Sequence, residues 1–236
     1  MEHLQVTSTL IHSLIVIGGL MLFFIIASIV IKRADPTVPP KGLIGFFEFI
    51  YVSLADFTMN AIGEKGATFI PFVITAASYL AIANLLGLVG LTPPTSNINV
   101  TVALTILTLI YIMISGMVQK GFGKYLRDTY VGDIKGFLLI LLVPITIIGE
   151  LSKIISLSFR LFGNIVSGVM ILTLLTQFMI WLGQTSGFGM FGSGVINLSV
   201  YPFLNAYFDI FAGLMQTFIF CTLTTMFIKS AVESDG

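Results

Sequence analysis

Charge is what this chain has least of. Of its 236 residues, 11 are Lys or Arg and 11 are Asp or Glu, so only 9% are charged and the formal net charge is zero. A soluble domain carries about 25% charged residues, and a nucleic-acid binder adds a basic excess. The composition excludes both. The single cysteine, Cys221, leaves no intrachain disulfide to form, and its apolar surroundings argue against thiol chemistry. There is no zinc-ligand spacing, no glycine-rich loop suited to phosphate and no nucleophile elbow. No metal, cofactor or catalytic site is therefore expected. His3 and His12 stand near the N-terminus and are read as incidental. Residues 1–9 lack the basic start of a signal peptide, so the first apolar run is read as a retained span.

Hydrophobic residues make up 56% of the sequence and arrive in long runs. The solvent for such runs is a bilayer with a core of about 30 Å. Residues 10–31 form a first span, ended by Lys32, Arg33 and the prolines at 36, 39 and 40. Residues 41–62 interleave Glu48 and Asp56 with aromatics, the pattern of an amphipathic helix on the membrane surface. Residues 69–91 and 100–118 are further spans, joined by a tight loop at 92–97, and 120–136 reads as a polar loop. A stretch at 137–183 follows, then a glycine-rich segment at 184–196 and a last apolar stretch at 198–228. At helical rise the two late stretches would run to about 70 and 46 Å. They must tilt steeply, or the first must bend into a hairpin near Pro144. The expected fold is a single all-α integral membrane domain over 1–236. It has five to six helices, the last two long and steeply tilted, plus one amphipathic interfacial helix.

Orientation follows from the cations. With the N-terminus outside, Lys32, Arg33, Lys41, Lys65, Lys120, Lys124, Arg127, Lys135 and Lys229 all fall on the cytoplasmic side, and the outer segments hold no Lys or Arg. Four charged residues remain inside apolar stretches: Glu150, Lys153, Arg160 and Asp209. A mid-membrane charge costs at least ~2.5–3.5 kcal/mol, so such residues are functional candidates. Helical spacing puts Gly149, Lys153, Ser156, Arg160, Asn164 and Ser167 on one face. Asn205, Asp209, Ala212, Gln216 and Phe220 repeat the pattern, with Asp209 and Gln216 seven apart and so nearly eclipsed in a regular helix. Two such stripes could face each other across an aqueous slot. Arginine keeps its proton and cannot relay one, whereas carboxylates can. Plainer readings stand beside this. Arg160 and Asp209 could be a structural pair, Glu150 and Lys153 a local ion pair, and Asn164 and Gln216 interhelical hydrogen-bonding amides.

The segment SFRLFGN at 158–164 resembles the hallmark of the F-type ATP synthase a subunit family. PITIIGELSK at 144–153, TPPTSNINVT at 92–101 and LMQTFIF at 214–220 are similar to its other segments, and the likeness extends from about residue 71 to 228. The resemblance implies a non-catalytic membrane subunit that conducts protons beside a rotating ring of c subunits and is held by peripheral-stalk b subunits. It implies a hetero-oligomer in a bacterial plasma membrane. By the same likeness Arg160 matches the essential arginine, Asn164 the amide one turn on, and Gln216 the glutamine opposite. Asp209 matches a titratable position and Glu150 an acid of the cytoplasmic half-channel. Lys153, Ser156, Ser167 and Asn205 are secondary candidates. Val169 stands where many members carry Glu or His, which shifts weight onto Asp209 and leaves H+ or Na+ open. A self-contained ion channel or transporter, or a non-conducting structural subunit, are the alternatives.

Overall fold

The computed structural model describes residues 2–33, 42–131, 138–185, 194, 198 and 201–233. The proline break after Arg33, most of the glycine-rich outer segment, Lys41 and Lys135 lie outside them. Every regular element among the described residues is helical, as the apolar runs require, because lipid offers backbone groups no other partner. α1 is Glu2–Arg33, α2 is Leu43–Ile62 and α3 is Ile70–Leu85, extended at each end by 3-10 turns. α4 is Ile98–Lys120, α5 is Phe122–Leu126, α6 is Leu138–Thr185 and α7 is Tyr201–Val232. Five of the described helices are long and apolar enough to cross a membrane, and α2 is not one of them.

One of the two alternatives for residues 137–183 is ruled out here, and the loop reading of 120–136 is corrected. No hairpin forms near Pro144: α6 runs unbroken for 48 residues with that proline inside it, about 72 Å at helical rise. Opening the chain into a hairpin would strand backbone groups in lipid, a larger loss than the one hydrogen bond a proline removes. The stretch after Lys120 is also no open loop as far as it is described. Gly121, at φ +83°, ends α4, and the chain refolds at once into α5 and a π turn, Arg127–Val131. Tyr125 anchors that fold. It is buried, and its ring fills the space beside Gly116 so closely that a Cβ there would come within 2.8 Å of the ring Cδ2.

Packing holds the bundle together, since lipid supplies no hydrophobic drive between helices. Leu80 of α3, Leu157 and Leu161 of α6 and Phe220 of α7 form a fully buried middle layer. Ile62, Phe69, Leu109, Ile112, Ile228 and Val232 form a second cluster toward the C-terminal end of α7. Interior threonines turn their hydroxyls onto their own helices: Thr105 to Thr101 O, Thr108 to Leu104 O, Thr217 to Gly213 O and Thr225 to Cys221 O. That satisfies each donor without water. Of the five described spans, α6 is the least covered. Only 6% of its most apolar window is buried, against 39% for α7.

Candidate functional site

α6 is regular from end to end, so the helical arithmetic holds along it. Ser156, Arg160 and Ser167 are exposed, and a side chain added at Gly149, Gly163 or Gly168 would meet nothing within 4 Å. One face of α6 is therefore open and lined by small residues, with Arg160 in its midst. Among the described residues the ion pairs are Lys153–Glu150 and Lys229–Glu233, and Arg160 enters neither. Among the described residues it also has no side-chain hydrogen-bond partner. The structural pairing of Arg160 with Asp209 does not occur.

α6 and α7 pack in opposite directions, and their register can be followed step by step. Lys153 Nζ lies 5.0 Å from the Phe227 ring centroid. Leu157 and Leu161 meet Phe220. Asn164 Nδ2 donates to Ala212 O at 3.1 Å. Between Asn164 and Gln216 lies a cavity of about 280 Å³, lined also by Ser167, Gly168 and Tyr207. Gln216 is 3% exposed, and its Nε2 has no hydrogen-bond partner. A buried amide donor without a partner is uncommon and points to a missing acceptor.

A second cavity, of about 560 Å³, opens at the other end of the bundle. Lys120, Lys124, Arg127 and Lys153 bring cations to it, and Asp128, Glu150 and Glu233 bring acids. Glu150 and Lys153 form the local pair considered above, Nζ to Oε1 at 2.6 Å, each about 30% exposed. Lys120 Nζ also donates to the Glu233 carbonyl. Burial first, and the Glu150 carboxylate second, push the Tyr125 phenol above its usual range, so the field of that acid reaches across the cavity. Helical rise sets Glu150 and Asn164 about 21 Å apart along α6. Between them, Leu80, Leu157, Leu161 and Phe220 form a buried, mainly apolar layer in which Ser158 is also enclosed. Arg160 sits on α6 at the level of this layer.

The helical arithmetic breaks down on α7. Residues Phe208–Ala212 form a π turn, so the rotation from Asp209 to Gln216 is not that of a regular helix. The two are not eclipsed. Gln216 lines the cavity with Asn164, and Asp209 does not. The Asp209 carboxylate instead lies over Gly87, where an added Cβ would stand 2.6 Å from Oδ2, and it accepts from Asn205 Nδ2 at 3.1 Å. Ser156 and Ser167 stay exposed on α6, and Ser167 Oγ donates to Asn164 O. Val169 is 58% exposed. Three residues of this region escaped the sequence reading: Gly87, Asn84 and Thr95. Asn84 was detectable by the rule that flagged Asn164 and Gln216, an amide inside an apolar run.

A model of the family described as ATP synthase A chain matches residues 11–229. ATP synthase subunit a of Mycoplasma pneumoniae is 30% identical over 215 residues, covering 87% of this chain and 72% of the relative. That of Syntrophobacter fumaroxidans is 31% identical over 195 residues, covering 82% and 73%. That of Gluconobacter oxydans is 33% identical over 220 residues, covering 89% and 86%. With its hallmark segments set in an all-α, five-span membrane fold and the match running almost from end to end, the chain belongs to the ATP synthase A chain family.

Proposed function

We propose that this chain is the ion-conducting stator of an F-type ATP synthase, passing protons through two offset half-channels at the edge of a rotating c-subunit ring. One observation carries the reading. An arginine with no ion pair among the described residues faces outward from an open face of α6, at the level of a mainly apolar layer between two polar cavities. A guanidinium left alone in a span costs several kcal/mol, and a carboxylate on a neighbouring subunit offsets that cost. A single chain that conducted alone would close both walls of its own path, and this face is not closed.

The path runs as follows. A proton enters from outside past Asn205 and Asp209 and reaches the cavity of Gln216, Asn164 and Ser167. There it neutralises a ring carboxylate, which can then turn into lipid where a charged one could not. After nearly a full turn the site meets the basic-end cavity, and the proton leaves past Glu150 and Lys153. The bare carboxylate then passes Arg160, which stabilises it and bars a direct leak. The membrane potential adds ~2.3 kcal/mol per charge per 100 mV. No step makes or breaks a covalent bond other than those to protons.

The positive-inside distribution supports an outer N-terminus and a cytoplasmic basic-end cavity, and the bacterial relatives support a bacterial membrane. α1, with only 11% of its apolar window buried, leaves a face free for stalk b subunits. The partner assignment is tested by oxidising membranes that carry Gly163→Cys or Ser167→Cys here and single cysteines on the outer helix of the c subunit. A cross-link at either site is expected. Cross-linking confined to a copy of this same chain, or ion flux through the purified chain alone, would replace the rotary reading by a self-contained channel.

The close fit of Asp209 over Gly87 has a consequence for transport. Gly87→Ala forces the carboxylate to move, because 2.6 Å is below any real contact of a Cβ. The variant is expected to insert and assemble normally, since the displaced group is one short side chain. Its rate of ATP-driven proton pumping should fall about tenfold, as small misplacements of a reacting group do. Wild-type pumping in vesicles with matched subunit content would remove Asp209 from its assigned place.

A further inference from the structure

Side-chain amides from two different helices close on consecutive carbonyls of α7. Asn164 takes Ala212 O, and Asn84 Nδ2 donates to Gly213 O at 3.3 Å. Both carbonyls stand at the end of the π turn Phe208–Ala212. Asn84 is 1% exposed and is held in place by Thr95 Oγ1, which donates to its Oδ1 at 2.8 Å. The fit is close: a Cβ on Gly213 would stand 3.0 Å from Asn84 Cβ. A π turn is rare and disrupts the hydrogen-bond ladder, so it persists only where its surroundings over-determine it. Donors aimed from α3 and α6 at the carbonyls beside it do that, Asn84 from a fully buried position.

We propose that Asn84 is a positioning residue: with Thr95 behind it, it clamps the π turn of α7 and so holds the Asp209 carboxylate over Gly87. This rests on the reading of Asp209 as the outer proton-bearing group. Without the clamp, α7 relaxes toward a continuous α-helix, whose residues each turn the chain by about 100°. Loss of the extra residue of the turn then rotates Asp209 off Gly87 and toward the Gln216 side. The clamp thus separates two polar groups that the bare sequence would stack, with Asp209 in the entry and Gln216 in the cavity.

The test uses the intact synthase in membranes, in a Cys221→Ser background. Gly87→Cys paired with Asp209→Cys reports the clamped geometry. The three atoms nearest a Cβ on Gly87 all belong to the Asp209 side chain, so two cysteines there are within reach of a disulfide. Oxidation should form that bond readily, and adding Asn84→Leu should slow it by at least about tenfold, because disulfide geometry is strict. Asn84→Ala, which asks less of the packing, serves if the leucine variant fails to insert. In parallel, Asn84 variants with Asp209 intact are assayed for ATP-driven proton pumping across a range of outer pH. A displaced Asp209 shifts the pH of half-maximal rate, whereas damage to assembly alone lowers the amount of complex and leaves the profile in place. Unchanged cross-linking in both Asn84 variants overturns the clamp. Lost cross-linking with a wild-type pumping rate and profile upholds the clamp and instead takes Asp209 off the proton path.

Discussion

Arg160→Ala is expected to abolish coupled transport while the subunit still inserts and assembles. Among the described residues Arg160 has no ion pair or hydrogen bond, and the packing beside it is carried by Leu157 and Leu161. On the proposed reading, what is lost is the fixed charge that meets a bare carboxylate on the ring. Leaving that carboxylate uncompensated at mid-depth costs ~2.5–3.5 kcal/mol. At about 1.4 kcal/mol per decade, that slows its passage by two orders of magnitude or more. Removing a permanent cation also removes the barrier between the cavities, so passive proton leak should rise. Arg160→Lys should recover little, because a buried ammonium can shed its proton and a guanidinium does not. The measurements are ATP-driven acidification and passive proton permeability of vesicles, each normalised to assembled complex. Normal pumping by the alanine variant would contradict the assigned role outright.

What could be read from the sequence divides along a physical line. The helices follow from apolar length alone, because lipid permits little else. The open face of α6 follows from spacing, since Ser156, Arg160 and Ser167 keep the helical period along an uninterrupted helix. Elsewhere the outcome depends on partners far away in the chain. Nothing local in Phe208–Ala212 marks a π turn. It is held by Asn84, 129 positions from Gly213, and by Asn164, 48 positions from Ala212. The eclipsing of Asp209 with Gln216 failed for that reason. The refolding after Gly121 depends in the same way on Tyr125 finding room beside Gly116. Helix length alone left a tilted α6 and a hairpin at Pro144 both open, and the unbroken helix decides between them.

Asp209→Asn is expected to slow transport far more than Glu150→Gln, and the two sites differ enough to say why. Asp209 sits half-buried over Gly87, with Asn205 as its hydrogen-bond donor and no other acid beside it. An amide keeps the shape and loses the proton site. General acid–base groups contribute ~10²–10⁴-fold, so a loss of at least about a hundredfold in proton entry follows. Glu150 lies in a cavity of about 560 Å³ that also holds Asp128 and Glu233, and its charge is already tied to Lys153 at 2.6 Å. Other acids and water can carry the proton out, so Glu150→Gln should cost less than about tenfold, below the ~10²-fold that a sole acid–base group contributes. Asp209→His provides the sharper control. An imidazole can carry a proton and titrates near ~6.5, so it should restore part of the rate and move the outer pH dependence upward toward that value. Synthesis driven by an imposed pH step, with outer and inner pH varied independently, separates entry from exit. Equal and small losses for Asp209→Asn and Glu150→Gln would mean that water alone feeds the Gln216 cavity, and that the acid over Gly87 serves only the fold.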